Sequence, residues 1–353
     1  GIDIRHPRLL WNCEGGIKQT SYRIIAKSDG KTVWDSGKVV SDSMHADYPN
    51  DLASRQRVEW NVTLWDENDV ECELSETAFF ETGLLSASAF TAKWISGNYR
   101  ADKQKRYPVN CFKKQFNANN IAKARLYITA CGLYEATING KRVGDFVLAP
   151  GHTDYTKRIQ LQTYDVTNLL CDGENVITVE LADGWYRGSC GAWGLRNQYG
   201  TQTKLYAQLE ITDKSGNKAI IGTDKTWRWS DDGKIRFADN KDGEIIEAWR
   251  TPSYGGFARE TECVVTPVAS NNVPVTEHER FSAVNIITTP GGAKVLDFGQ
   301  NIAGYISFAV NAKKGQKIKL RFGEMFDENG EFTQKNFQCA NKKRTRVTPQ
   351  QQI

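Results

Sequence analysis

Apolar residues recur at every second position along most of the chain, and helical spacing is scarce. Trp60, Val62 and Leu64 face one way, with Asn61 and Thr63 between them. Ile177, Val179 and Leu181 alternate with Thr178 and Glu180, and Ile318, Leu320 and Phe322 alternate with Lys317, Lys319 and Arg321. Leu205, Ala207, Leu209 and Ile211 form another row, opposed by Tyr206, Gln208 and Glu210. A period of two sends successive side chains to opposite faces. Each stretch therefore predicts an antiparallel strand with one buried face and one wet face.

The strongest turn signal is Asn139-Gly140. These two residue types tolerate the paired positive φ values of a type I′ turn, so a hairpin is predicted to join 132–138 to 141–147. Gly233, Gly243 and Gly330 lie in Asp-, Asn- and Lys-rich stretches and mark further turns. Many short strands between turns give an all-β fold class built of tandem β-sandwiches or jelly rolls. A Ser/Ala-rich stretch at 83–93 and the run Pro-Val-Ala-Ser-Asn-Asn-Val-Pro at 267–274 have linker composition. They divide the chain into 1–87, 88–268 and 269–353. The last segment reaches Ile353 with no closing strand evident, and reads as a domain cut short with an unpaired sheet edge.

Composition narrows the partners. Hydrophobic residues at 39% and charged residues at 25% fit a globular chain and argue against disorder. The net charge of +4 is diffuse, and the basic run Lys342-Lys343-Arg344 has no aromatic company, so nucleic acid is not expected. No stretch approaches the ~18 apolar residues of a membrane-spanning helix. The eight cysteines form no C-x-x-C pair. They read as small buried hydrophobes in a cytoplasmic, reducing setting, with secretion as the alternative.

Several chemistries lose their usual support. The four histidines show no H-x-x-x-H spacing, and there is no G-x-S-x-G elbow, no phosphate-binding G-x-x-x-x-G-K-[ST] and no strand-linked G-x-G-x-x-G. A glycosidase needs only two carboxylates, for which Asp183, Glu247, Asp297, Glu324 and Asp327 are candidates. Acidic residues in β-proteins, however, mostly occupy turns or solvated faces. An aromatic cluster is more informative: Asp183-Gly184-Trp185-Tyr186-Arg187-Gly188, then Trp193 and Tyr199, in a Gly-rich loop after the predicted strand 176–181. Its rings could offer flat apolar faces to the C–H side of a sugar while Arg187 bonds hydroxyls, or they could pack against a neighbouring domain. Asp154 and Tyr155 follow Pro150-Gly151-His152 and either line the same end or form a polar turn. No cofactor is expected. A structural Ca²⁺ could draw oxygens from Asp231-Asp232 and from Asp239-Asn240-Lys241-Asp242.

Three stretches together resemble the N-terminal, non-catalytic region of bacterial α-L-rhamnosidases of glycoside hydrolase family seventy-eight. Pro7-Arg8-Leu9-Leu10-Trp11, Trp34-Asp35-Ser36-Gly37-Lys38-Val39 and Phe80-Glu81-Thr82-Gly83 are similar to the family's fibronectin-III-like leading domain. Asn139-Gly140-Lys141-Arg142-Val143-Gly144-Asp145, Leu148-Ala149-Pro150-Gly151-His152-Thr153-Asp154-Tyr155 and the Trp185 stretch resemble its galactose-binding-like jelly roll. Val295-Leu296-Asp297-Phe298-Gly299-Gln300-Asn301, with Gly323-Glu324, resembles the concanavalin-like β-domain, here incomplete. The resemblance implies an inverting parent glycosidase acting on rhamnose-containing glycans or glycosides. It also implies that the partner missing from this chain is the catalytic (α/α)6 barrel of the same polypeptide. No catalytic residue carries over, because the family's acidic motif has no counterpart here. The alternative is a stand-alone carbohydrate-binding module.

Overall fold

The computed structural model describes residues 1–191, 195–313, 315–337 and 351–352. Trp193 and the basic run 342–344 lie outside the described residues. Among those described, strands dominate, and the single α-helical turn is Gly184–Arg187.

The first unit is a small sandwich. One sheet pairs Arg8–Leu10 with His45–Asp47. The other runs Lys31–Asp35, Ser21–Ser28, Arg57–Trp65, Ala78–Glu81, with Val39–Val40 also pairing on Ser21–Ser28. The expected alternation holds along Arg57–Trp65, where Val58, Trp60 and Val62 point inward. They meet Leu9, Trp11, Ile24, Ala26, Tyr48 and Leu52 in one core. Each such aliphatic side chain contributes about 1.5–3 kcal/mol by leaving water.

The second unit is a larger jelly roll of two facing sheets. One runs Arg259–Thr261, Trp94–Ser96, Lys204–Asp213, Ile121–Cys131, Gln160–Asp165, Val268–Ala269, with Lys218–Gly222 pairing along Lys204–Asp213. The other runs Lys141–Arg142, Leu133–Ile138, Gly173–Ala182, Asn110–Ala118, Arg228–Ser230, Gly256–Phe257. Between them lie Leu126, Ile128, Ile138, Ile177, Val179, Leu181, Leu205, Leu209 and Trp227.

Two local expectations change. The Asn139-Gly140 turn forms, with φ of 51° and 77°. The Asn139 side chain pins it, accepting from Val176 N–H at 2.9 Å and donating to the Asn175 carboxamide at 2.8 Å. Its return strand, however, is only Lys141–Arg142 rather than 141–147. Gly144, at φ 66°, turns the chain away against Tyr164, whose ring would lie 2.3 Å from any Cβ placed there. The second change concerns Lys204–Asp213, which is not wet on its outer face. Tyr206 and Gln208 are as buried as Leu205 and Leu209. The 84–94 segment covers that face, so Leu84, Ala89, Tyr127, Leu161 and Tyr206 form a second core outside the sheet.

Gln208 explains how a polar side chain tolerates that position. Its oxygen accepts from Thr91 N–H at 2.8 Å, Ala92 N–H at 3.1 Å and Tyr206 O–H at 2.8 Å, while its nitrogen donates to Ala89 O at 2.9 Å. A buried amide so satisfied avoids the desolvation penalty of an unpaired one. Charge pairs complete the seam between the two units. Arg55 of the first grips Glu210 of the second. Glu81 of the first accepts from Arg125 at 2.9 and 3.1 Å, and Lys123 lies 3.3 Å away.

The third segment is thin. Asn285–Thr288 pairs with Lys294–Asp297, and Met325–Phe326 with Phe332–Thr333. The alternation over 317–322 survives as a weak in–out pattern, with only Leu320–Arg321 in a strand. Among its described residues, many apolar side chains stay in water, including Ile286, Leu296, Ile302, Phe308, Met325 and Phe326.

The seam carries a pH signature. Burial pushes Glu81 upward, yet the hydrogen bonds and charges of Arg125 and Lys123 outweigh it and hold the carboxyl below its ordinary value. Stability from this contact is therefore complete above about pH 4.3, the unfolded value, and is lost as pH falls through the lower folded one. Glu81→Gln is expected to cost about 1.5–3 kcal/mol at neutral pH by urea denaturation. The gap between variant and parent should close in acid. A gap that persists unchanged well below the folded value would show that the charge contributes nothing.

Candidate functional site

Of the candidate residues, Tyr155, Trp185, Tyr186 and Tyr199 gather at one end of the jelly roll, where Ile121–Cys131 and Gly173–Ala182 both finish. The chain does not leave the second strand as an open loop. Gly184–Arg187 winds into one helical turn, closed by Arg187 N–H to Asp183 O at 3.2 Å and Gly188 N–H to Gly184 O at 3.0 Å. Gly184 has φ 51°, and a Cβ there would meet Leu133 Cγ at 2.6 Å. Only glycine lets the turn seat this closely.

The turn splits its side chains between two surroundings. Trp185 and Tyr186 point to an aromatic cluster with Tyr155 and Tyr199. Tyr155 meets Tyr186 edge-on at 5.4 Å and Tyr199 at 5.2 Å. Tyr155 donates its O–H to Gly151 O at 2.8 Å. Tyr155 and Tyr186 are buried, and burial pushes both phenols above their ordinary value. Trp185 and Tyr199 are half-buried and form the rim. The exposed His152 stacks on Trp185 at 5.2 Å, with planes 21° apart. Cys190 Sγ lies 4.0 Å from His152 Nε2.

Arg187 goes the other way, and the expectation that it reaches a sugar hydroxyl is not met. It is 1% exposed. Its Nε donates to Asp183 Oδ1 at 2.8 Å, and its Nη1 to Tyr99 O–H at 2.5 Å. The Tyr99 and Tyr107 rings stack at 4.6 Å, and the guanidinium lies 5.1 Å from the Tyr107 centroid. The buried network extends to Arg196, 3.7 Å from the second Asp183 oxygen. Beside it, Asp239 accepts from Ser189 N–H at 2.7 Å and Asp242 from Ser189 Oγ–H at 2.8 Å, and both pair with Arg106. An isolated charge at such depth would be very costly, so the alternation of three carboxylates with three guanidiniums is what permits it.

Asp154 stays outside the cluster. It is exposed, accepts from Thr156 N–H at 3.0 Å and lies 3.4 Å from Lys157 Nζ. This is the polar-turn reading. The residues considered for Ca²⁺ have protein partners: Asp232 accepts from Ser253 N–H at 3.0 Å and from Ser230, and Asp239 and Asp242 face Arg106. Among the described residues, no group of three or more His, Cys, Asp or Glu is arranged to hold a metal. The other candidate carboxylates also have local partners. Glu247 pairs with Arg250 and Arg236, Asp297 accepts from Gly299 N–H at 2.8 Å, and Asp327 accepts from Asn329 and Glu331 N–H. Glu324 lies 3.5 Å from Asn336 Nδ2. A cavity of about 180 Å³ opens elsewhere, lined by residues that include Gly1, Phe146, Gln162, Tyr164 and Pro274. It is smaller than the ~300 Å³ at which small-molecule sites begin.

The comparisons with known proteins follow this architecture. Residues 1–86 match the Rha78A-like N-terminal immunoglobulin domain. Residues 119–288 match the α-L-rhamnosidase N-terminal domain, and 287–348 the bacterial α-L-rhamnosidase concanavalin-like domain. The chain belongs to the α-L-rhamnosidase family. An α-L-rhamnosidase of Formosa agariphila is 34% identical over 95% of this chain. The crystal structure of the Aspergillus terreus α-L-rhamnosidase is 30% identical over 94% of the chain, with a TM-score of 0.87. The Streptomyces avermitilis α-L-rhamnosidase, solved with L-rhamnose, covers all of the chain at 24% identity and a TM-score of 0.88, which speaks for the fold. This rhamnosidase-family chain spans 39% and 41% of the length of the first two relatives.

Several participants lie outside the set expected from the sequence, His152 and Tyr99 among them. His152 is the stacking partner of Trp185, and its place after Pro150-Gly151 was the available signal. Tyr99 lies 88 residues from Arg187, and no local pattern links them.

The buried pair is testable. Asp183→Ala leaves the Arg187 charge uncompensated and is expected to cost about 3–5 kcal/mol in urea denaturation. Adding Arg187→Met should restore part of that loss. Simple additivity of the two losses would show that the groups are not coupled.

Proposed function

We propose that this chain is the accessory N-terminal scaffold of an α-L-rhamnosidase acting on rhamnose-containing glycans or glycosides, with the bond-cleaving site elsewhere in the full-length protein. The units are taken as 1–87, 88–268 and 269–353. The observation that carries this reading is the pairing of near-complete coverage of the chain with coverage of only about two-fifths of its relatives. The chemistry supports it. An inverting glycosidase holds two carboxyl groups about 6.5–9.5 Å apart across a sugar. The five candidates here instead have ion-pair, turn or amide partners of their own.

The half-buried rim of Trp185 and Tyr199 favours a second role within the same reading, sugar contact by the jelly roll. Trp185 and Tyr199 have the apolar body and polar tip suited to a half-wet sugar surface. Because His152 covers one indole face, a sugar ring would displace the imidazole or use the opposite face.

The purified 353-residue chain is expected to release no nitrophenol from an aryl α-L-rhamnoside, and appreciable turnover would overturn the scaffold reading. For the second role, calorimetric titration with L-rhamnose, with and without chelator, should give binding that Trp185→Ala removes. Binding unchanged by that substitution would place the sugar elsewhere.

A further inference from the structure

The cysteines are scattered in the sequence, but two of them are brought together by the fold. Cys131 ends the Ile121–Cys131 strand, and Cys263 follows the edge strand Arg259–Thr261. Between those strands in the sheet lie Trp94–Ser96 and Lys204–Asp213. The register sets Cys131 opposite Lys204 and Thr261 opposite Trp94. Beyond Thr261 the chain leaves the sheet, and Lys204 Nζ holds it by donating to Glu262 O at 2.6 Å. Cys263 then packs into the same cluster as Cys131, together with Tyr155, Ile159 and Tyr186. Both thiols therefore sit in one small, mostly buried cluster. The influence of Cys131 lowers the Cys263 thiol from its ordinary value against burial, while that of Cys263, with burial, pushes Cys131 up.

We propose that Cys131 and Cys263 form a redox-modification site, a dithiol that closes to an intramolecular disulfide beneath the aromatic cluster when exposed to a low-molecular-weight disulfide such as oxidised glutathione. Cys263 is half-buried and Cys131 is buried, so their roles differ. The Cys263 thiolate attacks one sulfur of the oxidant. The S–S bond of the oxidant breaks, a mixed disulfide forms, and one glutathione leaves as thiolate and takes a proton from solvent. Cys131 then loses its proton and attacks the Cys263 sulfur. The mixed disulfide breaks, the protein disulfide forms, and the second glutathione leaves. Two protein thiols are oxidised and one glutathione disulfide is reduced to two thiols. Lys204 lies near both sulfurs, and its positive charge favours each thiolate. Cys263 stands on an irregular stretch rather than within the ladder, which leaves its backbone free of the sheet register when the disulfide geometry is set.

The bond would clip the edge strand to a central strand and stiffen the floor under Tyr186 and Tyr199. It would also close a loop of well over 100 residues, which is where a cross-link constrains the unfolded chain most. The inference does not depend on sugar binding.

The test is oxidation of the full chain with glutathione disulfide, followed by alkylation and peptide mapping without reduction. The expected result is a Cys131–Cys263 linked peptide and a rise in Tm of roughly 5 °C or more that dithiothreitol reverses. In Cys263→Ser, a substitution at a half-buried position, both should vanish. Cys131→Ala should lose the linked peptide as well. Recovery of both cysteines alkylated after oxidation would overturn the proposal. So would a Tm rise that survives in Cys263→Ser, because another pair would then be responsible.

Discussion

The structure depends on a sheet buried on both faces. Lys204–Asp213 and its neighbour Ile121–Cys131 send Leu205, Leu209, Leu126 and Ile128 into the jelly-roll core. The same strands send Tyr206 and Tyr127 outward into a second core that the 84–94 segment helps to build. Apolar area is thus removed from water twice by one set of strands. The outer face keeps polar groups, and it is stable only because they are matched. Gln208 is satisfied by the backbone of 89–92, and Glu210 and Arg125 are paired by Arg55 and Glu81 of the first unit. This makes the first two units one mechanical body.

That rigidity reaches the aromatic end. The Gly184–Arg187 turn is held from below by the Asp183–Arg187 pair and from the side by Leu133. Its exposed side chains are consequently few. Tyr155, Tyr186 and Arg187 act in the interior, while Trp185, Tyr199 and His152 face outward. A residue type suited to recognition is therefore used here for packing as often as for contact. A short motif that reads as a binding loop can be mainly a structural corner.

The strand pattern was readable wherever one face met the core, as along Arg57–Trp65 and Gly173–Ala182. It misled at Lys204–Asp213, since Tyr206, Gln208 and Glu210 look like a solvated row until the 84–94 segment and Arg55 cover them. The Asn139-Gly140 turn was legible because its chemistry is local. The short return strand was not, because it depends on Gly144 meeting Tyr164 in space. The aromatic cluster was visible as a sequence neighbourhood. The inward turn of Arg187 was not, because its partner Tyr99 comes from a distant part of the chain. The approach of Cys263 to the cluster that holds Cys131 is set by the path of the chain after it leaves the sheet, which no local pattern shows.

The third segment differs in kind. Its hairpins are short and many of its described apolar residues lie in water, so local opening there should need little energy. The central claim is that the first two units open only together. Native-state hydrogen exchange read by mass spectrometry tests it most directly. The account predicts that backbone amides of Arg57–Trp65 and Lys204–Asp213 share one highest opening energy, with Asn285–Thr288 exchanging far sooner. Exchange of Arg57–Trp65 well before Lys204–Asp213 would contradict it, because the first sandwich would then unfold while the jelly roll stood alone.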